Sequence, residues 1–217
     1  MKKHSFLSHT PEEMRRLSNL GHIVEGVLFA IVGVLALLGN LGTFTWASLA
    51  WSILVLASGI VLLLLLYPLH PVSEWGLIWR DTQQREHTII AAAVAIAGVA
   101  ELLSTTIPAL GYAWPAAVIL IGGLFLFHAQ HGTSEAATRA VRQHRALGIT
   151  LILAGLLNFV EIANGGRFAA ILWPIVLLVA AGQLLLYASR WAPMKMERSM
   201  TVMWVINPFS PSSSRGY

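Results

Sequence analysis

The sequence predicts an all-α integral membrane protein with six transmembrane helices. Of its 217 residues, 56% are hydrophobic and only 11% are charged, whereas a soluble domain carries about 25% charged residues. Each apolar stretch is near the roughly 20 residues that a helix needs to cross the hydrocarbon core, and a helix satisfies its own backbone in lipid. The six stretches lie at about 21–39, 46–67, 88–104, 112–130, 146–163 and 168–188.

The distribution of basic residues predicts the orientation of this bundle. An even number of spans places both termini on one side, together with the loops 68–87 and 131–145. Of the 14 Lys and Arg residues, only Arg167 falls on the other side. The positive-inside rule therefore predicts cytoplasmic termini, as in a multi-pass protein of a bacterial inner (plasma) membrane. Anionic lipid head groups account for the net charge of +4 without a nucleic acid.

Two segments flank the predicted bundle, which spans residues 21–190. Residues 1–20 contain Thr10-Pro11-Glu12-Glu13, which is typical of an N-cap with proline at the first helical position and predicts an amphipathic surface helix. No apolar region of signal-peptide type precedes residue 21. Residues 191–217 form a predicted cytoplasmic tail that contains four of the six methionines. The absence of cysteine excludes disulfides and thiolate metal sites.

The six spans predict three repeated helical hairpins. Their first helices share a stripe at offsets of 0, 4, 7, 11 and 14 residues, which lie on one helical face; small residues there favour close helix packing in lipid. The stripes read His22, Gly26, Phe29, Gly33 and Ala36; His87, Ala91, Val94, Gly98 and Glu101; and His144, Gly148, Leu151, Gly155 and Asn158. This pattern predicts inward-facing histidines.

The second helices of the hairpins also correspond to one another. A tryptophan near each start is followed eight residues later by a small residue. The pairs are Trp51 and Gly59, Trp114 and Gly122, and Trp173 and Ala181. Tryptophan near the end of a span is typical of an anchor at the membrane interface, and we interpret these three in that way.

The candidate functional residues of the chain are histidines. His128 and His131 are spaced i, i+3 at the end of a predicted helix, and His87 and His144 lie across short loops on the same side. Imidazole suits copper, zinc, iron and nickel, and ionisable groups inside a membrane are functional hypotheses by default. With His22 as an accessory ligand, these residues predict a metal site. The alternative is a set of interfacial histidines bonded to loops or water.

Three glutamates also fall inside predicted spans, at positions 25, 101 and 161. Glu101 lies 14 residues beyond His87, so it sits about 21 Å deeper at the standard helical rise. Glu101 and Glu161 are therefore candidates for steps on an ion or proton path, or else they reach out to the interface. No phosphate-binding loop, nucleophile elbow or zinc-protease motif appears, which favours a non-enzymatic role.

Residues 86–161 resemble the core of the transmembrane protein forty-five family. The matching residues are Glu86-His87, Ala100-Glu101, Leu126-Phe127-His128-Ala-Gln-His131-Gly132, His144 and Glu161, and Gly21-His22-x-x-x-Gly26 is similar to an early motif of that family. The same region is similar to the membrane part of copper-resistance D-type proteins, with Trp114, Gly122-Gly123, His128, His131 and His144 in place. That resemblance implies a histidine-lined copper site. The three-hairpin layout also resembles the short-repeat acid-resistance membrane proteins, which implies a structural role.

These patterns leave three hypotheses for function. The first is copper binding or transfer through the histidine cluster. Met194, Met196, Met200 and Met203 of the tail are a possible entry point, since thioether sulfur favours Cu(I). The second is haem b electron transfer with paired histidines as axial ligands. The third is an accessory or scaffolding subunit of a larger membrane complex, in which the tail docks on a partner.

Overall fold

The computed structural model describes residues 11–66, 82–127 and 135–191, together with positions 76 and 79. These ranges are mainly helical and contain six helices that are long and apolar enough to cross a membrane, so the predicted all-α class with six helices of membrane-spanning length is confirmed. The helices are α1 (Pro11–Asn40), α2 (Thr45–Leu66), α3 (Thr82–Leu103), α4 (Ala113–Phe127), α5 (Glu135–Asn164) and α6 (Arg167–Trp191), and a short 3-10 helix (Pro108–Tyr112) leads into α4.

Two of the helices extend beyond the apolar stretches that predict them. α1 runs without a break from Pro11, so most of the predicted surface helix is continuous with the first span. α5 begins at Glu135, well before its apolar stretch begins near residue 146. The short turns after α1 and α5 use Gly42 and Gly165, whose φ angles are +71° and +65°. Residues other than glycine rarely adopt positive φ angles. The two glycines therefore allow both helices to end sharply and the chain to reverse direction.

Three helix pairs make the most extensive contacts: α1 with α6, α2 with α3, and α4 with α5. Each pair meets at a glycine of the predicted stripes. A Cβ atom on Gly33 would lie 2.9 Å from the side chain of Leu178, and one on Gly155 would lie 2.7 Å from that of Ile119. A Cβ on Gly98 would lie 2.4 Å from a backbone atom of α2. The glycines therefore let the helices approach closely, as expected for packing in lipid.

The predicted stripes face the interior of the bundle. Every stripe residue of α1 and α5 is buried, from His22 to Ala36 and from His144 to Asn158. On α3 the middle of the stripe is buried, whereas His87 and Glu101 at its two ends are half-buried. The periodicity of small residues thus correctly identifies the packed faces of all three helices.

The three tryptophans lie inside the bundle, and their interpretation as interfacial anchors is wrong. The Trp51 ring is 6.0 Å from that of Trp114 and 5.8 Å from that of Trp173. Their side chains are 8%, 2% and 2% exposed. Because α2, α4 and α6 each present an indole near the helix start, the three rings pack together inside one end of the bundle instead of reaching the lipid.

Candidate functional site

Two of the predicted ligands, His22 and His144, meet at the end of the bundle away from the tryptophans. Their ring centroids are 5.9 Å apart with the ring planes at 75°. Both side chains are buried, with exposures of 8% and 4%. His22 lies near the start of the first apolar span, and His144 lies in the first third of the fifth. The pair therefore sits inside the bundle near one membrane boundary.

Helix α6 brings the two imidazoles together, since it packs against both α1 and α5. Its Tyr187 ring lies 4.6 Å from the His22 ring and 5.5 Å from the His144 ring. One turn deeper along α1, Gly26 lies against Ala181 and Leu185 of α6. A larger residue at Gly26 would push α1 away from α6 and carry His22 with it.

A cavity of about 140 Å³ opens beside the two histidines. Its polar side chains come from three helices, and its remaining walls are apolar. The lining residues are His22, Gln143, His144, Ala146, Leu147, Gln183, Leu184, Leu186 and Tyr187. Gln183 and Tyr187 are spaced i, i+4 on α6 and so share one face of that helix. This cavity is the candidate functional site.

The ring orientation of His144 is fixed by its own helix. Its Nδ1 lies 2.8 Å from the backbone oxygen of Ala140. A carbonyl oxygen can only accept, so Nδ1 carries the proton and donates it. In the neutral ring, Nε2 then carries the lone pair. Metal-binding histidines typically donate their second ring N–H to such an acceptor, which fixes the tautomer.

The amide of Gln183 is also fixed in direction. Its Nε2 lies 3.1 Å from Thr150 Oγ1, and the Thr150 hydroxyl donates to the backbone oxygen of Ala146 at 3.0 Å. The Thr150 hydroxyl has one proton, which it donates to Ala146, so it can only accept a hydrogen bond from Gln183. The group of Gln183 that faces Thr150 must therefore be its NH₂ group. The Oε1 atoms of Gln183 and of Gln143 are both buried without a hydrogen-bond partner in the described structure.

The other end of the bundle carries a separate polar group. Glu161 Oε2 accepts hydrogen bonds from Trp173 Nε1 and from Asn158 Nδ2, the second at 2.9 Å. Glu101 of α3 also lies near the end of its helix on this side of the bundle. The two glutamates predicted to line an ion or proton path thus lie at the end of the bundle that holds the tryptophan cluster. Whether they conduct an ion stays a prediction.

The structure joins only part of the predicted ligand set. His87 is half-buried on α3 and does not line the cavity. His128, His131 and the methionines of the tail lie outside the described residues. Among the described side chains, no three of His, Cys, Asp and Glu come together as a set that could hold a metal ion. The described part of the site is therefore a histidine pair.

Sequence reasoning missed four residues at this site: Tyr187, Gln143, Gln183 and Thr150. A signal existed for Gln183, which is a polar side chain inside a span of mean hydropathy 2.3. Polar groups at such positions are costly and mark functional or packing contacts. Gln143 and Tyr187 carry no comparable signal, because they fall near helix ends, where polar residues are common.

Comparison of the chain with models of known protein families and with curated proteins finds no match. The function must accordingly be argued from the cavity itself.

Proposed function

We propose that this protein binds a transition metal ion in the membrane, through the imidazoles of His22 and His144, and that the metal is copper. The observation that carries the proposal is the meeting of two buried imidazoles from α1 and α5 beside a cavity. Imidazole is the commonest metal-binding side chain in proteins, and these two imidazoles come from distant parts of the chain.

The separation of the two rings is compatible with an ion between them. A bond from a metal to an imidazole nitrogen is about 2.0 Å long, so two imidazoles on one ion hold their centroids roughly 6 Å apart or less. The observed separation is 5.9 Å. The contact of His144 Nδ1 with the backbone oxygen of Ala140 supports the same proposal, since metal-binding histidines typically donate their second ring N–H to such an acceptor.

The size of the cavity favours an ion over haem b. Pockets for small organic molecules typically measure about 300–1,000 Å³, whereas this cavity measures about 140 Å³. Tyr187 packs directly against both imidazoles, in the space that a porphyrin ring would need. We therefore favour a metal ion and keep haem b as the alternative that absorbance spectroscopy tests.

The setting proposed for this site is the cytoplasmic end of three repeated hairpins in a bacterial inner membrane. The alternation of helix contacts supports the repeat, because the first helix of each hairpin packs on the second helix of the preceding one, and α1 closes the ring on α6. The excess of basic residues supports cytoplasmic termini. In this arrangement His87, His128 and His131 are additional ligands for copper that enters or leaves the pair.

The proposal is tested by elemental analysis of protein purified in mild detergent from copper-supplied cells, without a histidine tag. We expect about one copper per chain in the wild type, and loss of that copper in His22→Ala and in His144→Ala. His70→Ala removes a histidine outside the proposed ligand set and should retain the metal. Circular dichroism establishes that each variant remains helical.

Two results would overturn the proposal. Wild-type protein free of copper, zinc and nickel would leave haem b or an accessory role, and a Soret band would distinguish these two. Full copper content in both His22→Ala and His144→Ala would place the metal elsewhere in the chain.

A further inference from the structure

The cavity beside the histidine pair opens toward the lipid between α5 and α6. Two of its lining residues, Ala146 of α5 and Leu186 of α6, are also exposed on the outer surface of the bundle, and Leu186 is 58% exposed. Both residues lie within segments long and apolar enough to span a membrane, so the surface that they expose meets lipid chains. The cavity can therefore be entered sideways from the bilayer.

The size and lining of the cavity suit a piece of hydrocarbon. Most of its lining surface is apolar, and no Asp, Glu, Lys or Arg is among the residues described as lining it. An apolar cavity of about 150 Å³ stays free of water and holds one benzene molecule. At about 140 Å³, this cavity therefore has room for a segment of roughly six carbon atoms from a lipid chain.

Two exposed arginines lie on the same face of α5 as the cavity, on the side of the membrane surface. Arg139 precedes Gln143 by four residues, and Arg142 precedes Ala146 by four. Residues at this spacing are neighbours on one helix face, and both Gln143 and Ala146 line the cavity. A long basic side chain at such a position carries its charge to the membrane surface while its stem covers apolar surface.

The spacing along α5 matches the thickness of the polar layer of a lipid leaflet, which is about 5–7 Å. The apolar stretch of α5 begins near Ala146. At the standard helical rise, the backbone of Arg142 lies about 6 Å before Ala146, and that of Arg139 lies about 10 Å before it. The two guanidinium groups are therefore at the level of the lipid phosphates, and the cavity is at the level of the first carbon atoms of the chains.

We infer that the cavity and the two arginines together form a binding site for one anionic phospholipid. Arg139 and Arg142 bind the phosphate, because guanidinium groups form paired, charge-assisted hydrogen bonds with phosphate oxygens. One acyl chain of the same lipid enters the cavity between Ala146 and Leu186. A zwitterionic head group carries its own cation beside the phosphate, so the two arginines favour a lipid of net negative charge. The site needs no metal at the histidine pair.

The test titrates the full-length protein in mild detergent with phosphatidylglycerol and, separately, with phosphatidylcholine of the same chains, and measures bound lipid by native mass spectrometry. We expect one phosphatidylglycerol to bind per chain, more tightly than phosphatidylcholine. Two basic residues near a membrane surface contribute roughly 30-fold to the affinity for an anionic lipid. Combining Arg139→Gln with Arg142→Gln should therefore weaken phosphatidylglycerol binding by about that factor and remove most of the preference between the two lipids.

The matched control combines Arg85→Gln with Arg145→Gln, which removes the same charge from the same end of the bundle. Both arginines are exposed. Arg145 lies two residues after Gln143, and so about 200° around the helix from it. Arg85 belongs to α3, which packs mainly on α2 and α4. This control should retain the preference for phosphatidylglycerol.

Ala146→Phe tests the apolar part of the site. The added ring occupies the entrance of the cavity and leaves both arginines in place, so it should weaken the binding of the two lipids by a similar factor, several-fold or more. Ile149→Phe is its control, because Ile149 is 61% exposed on the same helix and does not line the cavity. Both positions face outward, so the helical circular dichroism of the two variants should match that of the wild type.

Inorganic phosphate distinguishes a lipid site from a site for a soluble anion. An excess of phosphate should leave phosphatidylglycerol bound, and its displacement by phosphate would overturn the inference. Equal binding of the two lipids, or equal losses in the two pairs of arginine variants, would also overturn it, since the arginines would then act only as general surface charge. Undiminished lipid binding in Ala146→Phe would place the chain outside the cavity, with the same consequence. These measurements involve no metal, so the copper site is tested separately by the histidine variants.

Discussion

The ring of Tyr187 lies 4.6 Å from that of His22, closer than the 5.9 Å that separates His22 from His144. The tyrosine thus packs against both imidazoles from the end of α6. Aromatic pairs of this kind contribute about 0.5–1.5 kcal/mol each beyond the area that they bury. Tyr187 therefore holds the two rings at their separation, whatever its hydroxyl does.

Substitutions at Tyr187 separate the role of its ring from that of its hydroxyl. Tyr187→Phe keeps both ring contacts, so we expect copper affinity within a few-fold of wild type. Tyr187→Ala removes both contacts, and losing about 1 kcal/mol from each should weaken copper binding by tenfold or more. Chelator competition measures both. Loss of copper in Tyr187→Phe would show instead that the phenol oxygen is a ligand.

A second prediction concerns the contact between α4 and α5. A Cβ atom on Gly122 would lie 2.7 Å from the backbone oxygen of Gly148, whereas the neighbouring Gly123 has nothing within 4 Å. Overpacking typically costs about 1–3 kcal/mol, and α4 cannot yield without moving its backbone. Gly122→Ala should therefore lower the thermal unfolding temperature in detergent by several degrees.

The control for this prediction is the adjacent glycine. Gly123→Ala should leave stability unchanged or raise it, because alanine is about 1 kcal/mol better than glycine inside a helix. If Gly122→Ala proved as stable as Gly123→Ala, α4 and α5 would not pack as closely as the structure shows.

A third prediction concerns the hydrogen bond from Trp173 to Glu161. Trp173 and Trp114 are both 2% exposed and belong to the same cluster, but Trp173 is the one that donates to the Glu161 carboxylate. Trp173→Phe should therefore cost about 1–3 kcal/mol more than Trp114→Phe, since it removes a hydrogen bond to a carboxyl group. Thermal unfolding of the two variants measures the difference, and equal losses would mean that this hydrogen bond contributes nothing to stability.

The sequence predicts the helices and their packed faces because both depend on local patterns. Span length determines the six helices, and the spacing of Gly26, Gly98 and Gly155 within the stripes identifies which face of each helix is buried. The inward position of His22 and His144 follows from the same spacing. These features need no knowledge of which helices are neighbours.

The composition of the cavity could not be predicted in the same way. Tyr187 and Gln183 reach His22 and His144 only because α6 packs against both α1 and α5, and that arrangement depends on contacts between distant parts of the chain. The interpretation of the tryptophans is wrong for the same reason. Trp51 lies near the end of an apolar span, as an interfacial anchor would, and only the arrangement of α2, α4 and α6 reveals that its ring is internal.

The last prediction concerns which side of the membrane the histidine pair faces. The chain contains no cysteine, so a single introduced cysteine reports its own location. Asn164 at the end of α5 and Thr82 at the start of α3 are both exposed. With cytoplasmic termini, Asn164→Cys should react with an impermeant maleimide on intact cells, and Thr82→Cys should react only after permeabilisation.

The opposite labelling pattern would reverse the orientation of the bundle. His22 and His144 lie at the end where α1 begins, so they would then face the outer compartment together with residues 191–217. The copper site would in that case take its ion from outside the cell rather than from the cytoplasm. Because the positive-inside rule rests on an asymmetry of 13 basic residues against Arg167 alone, we expect the cytoplasmic result.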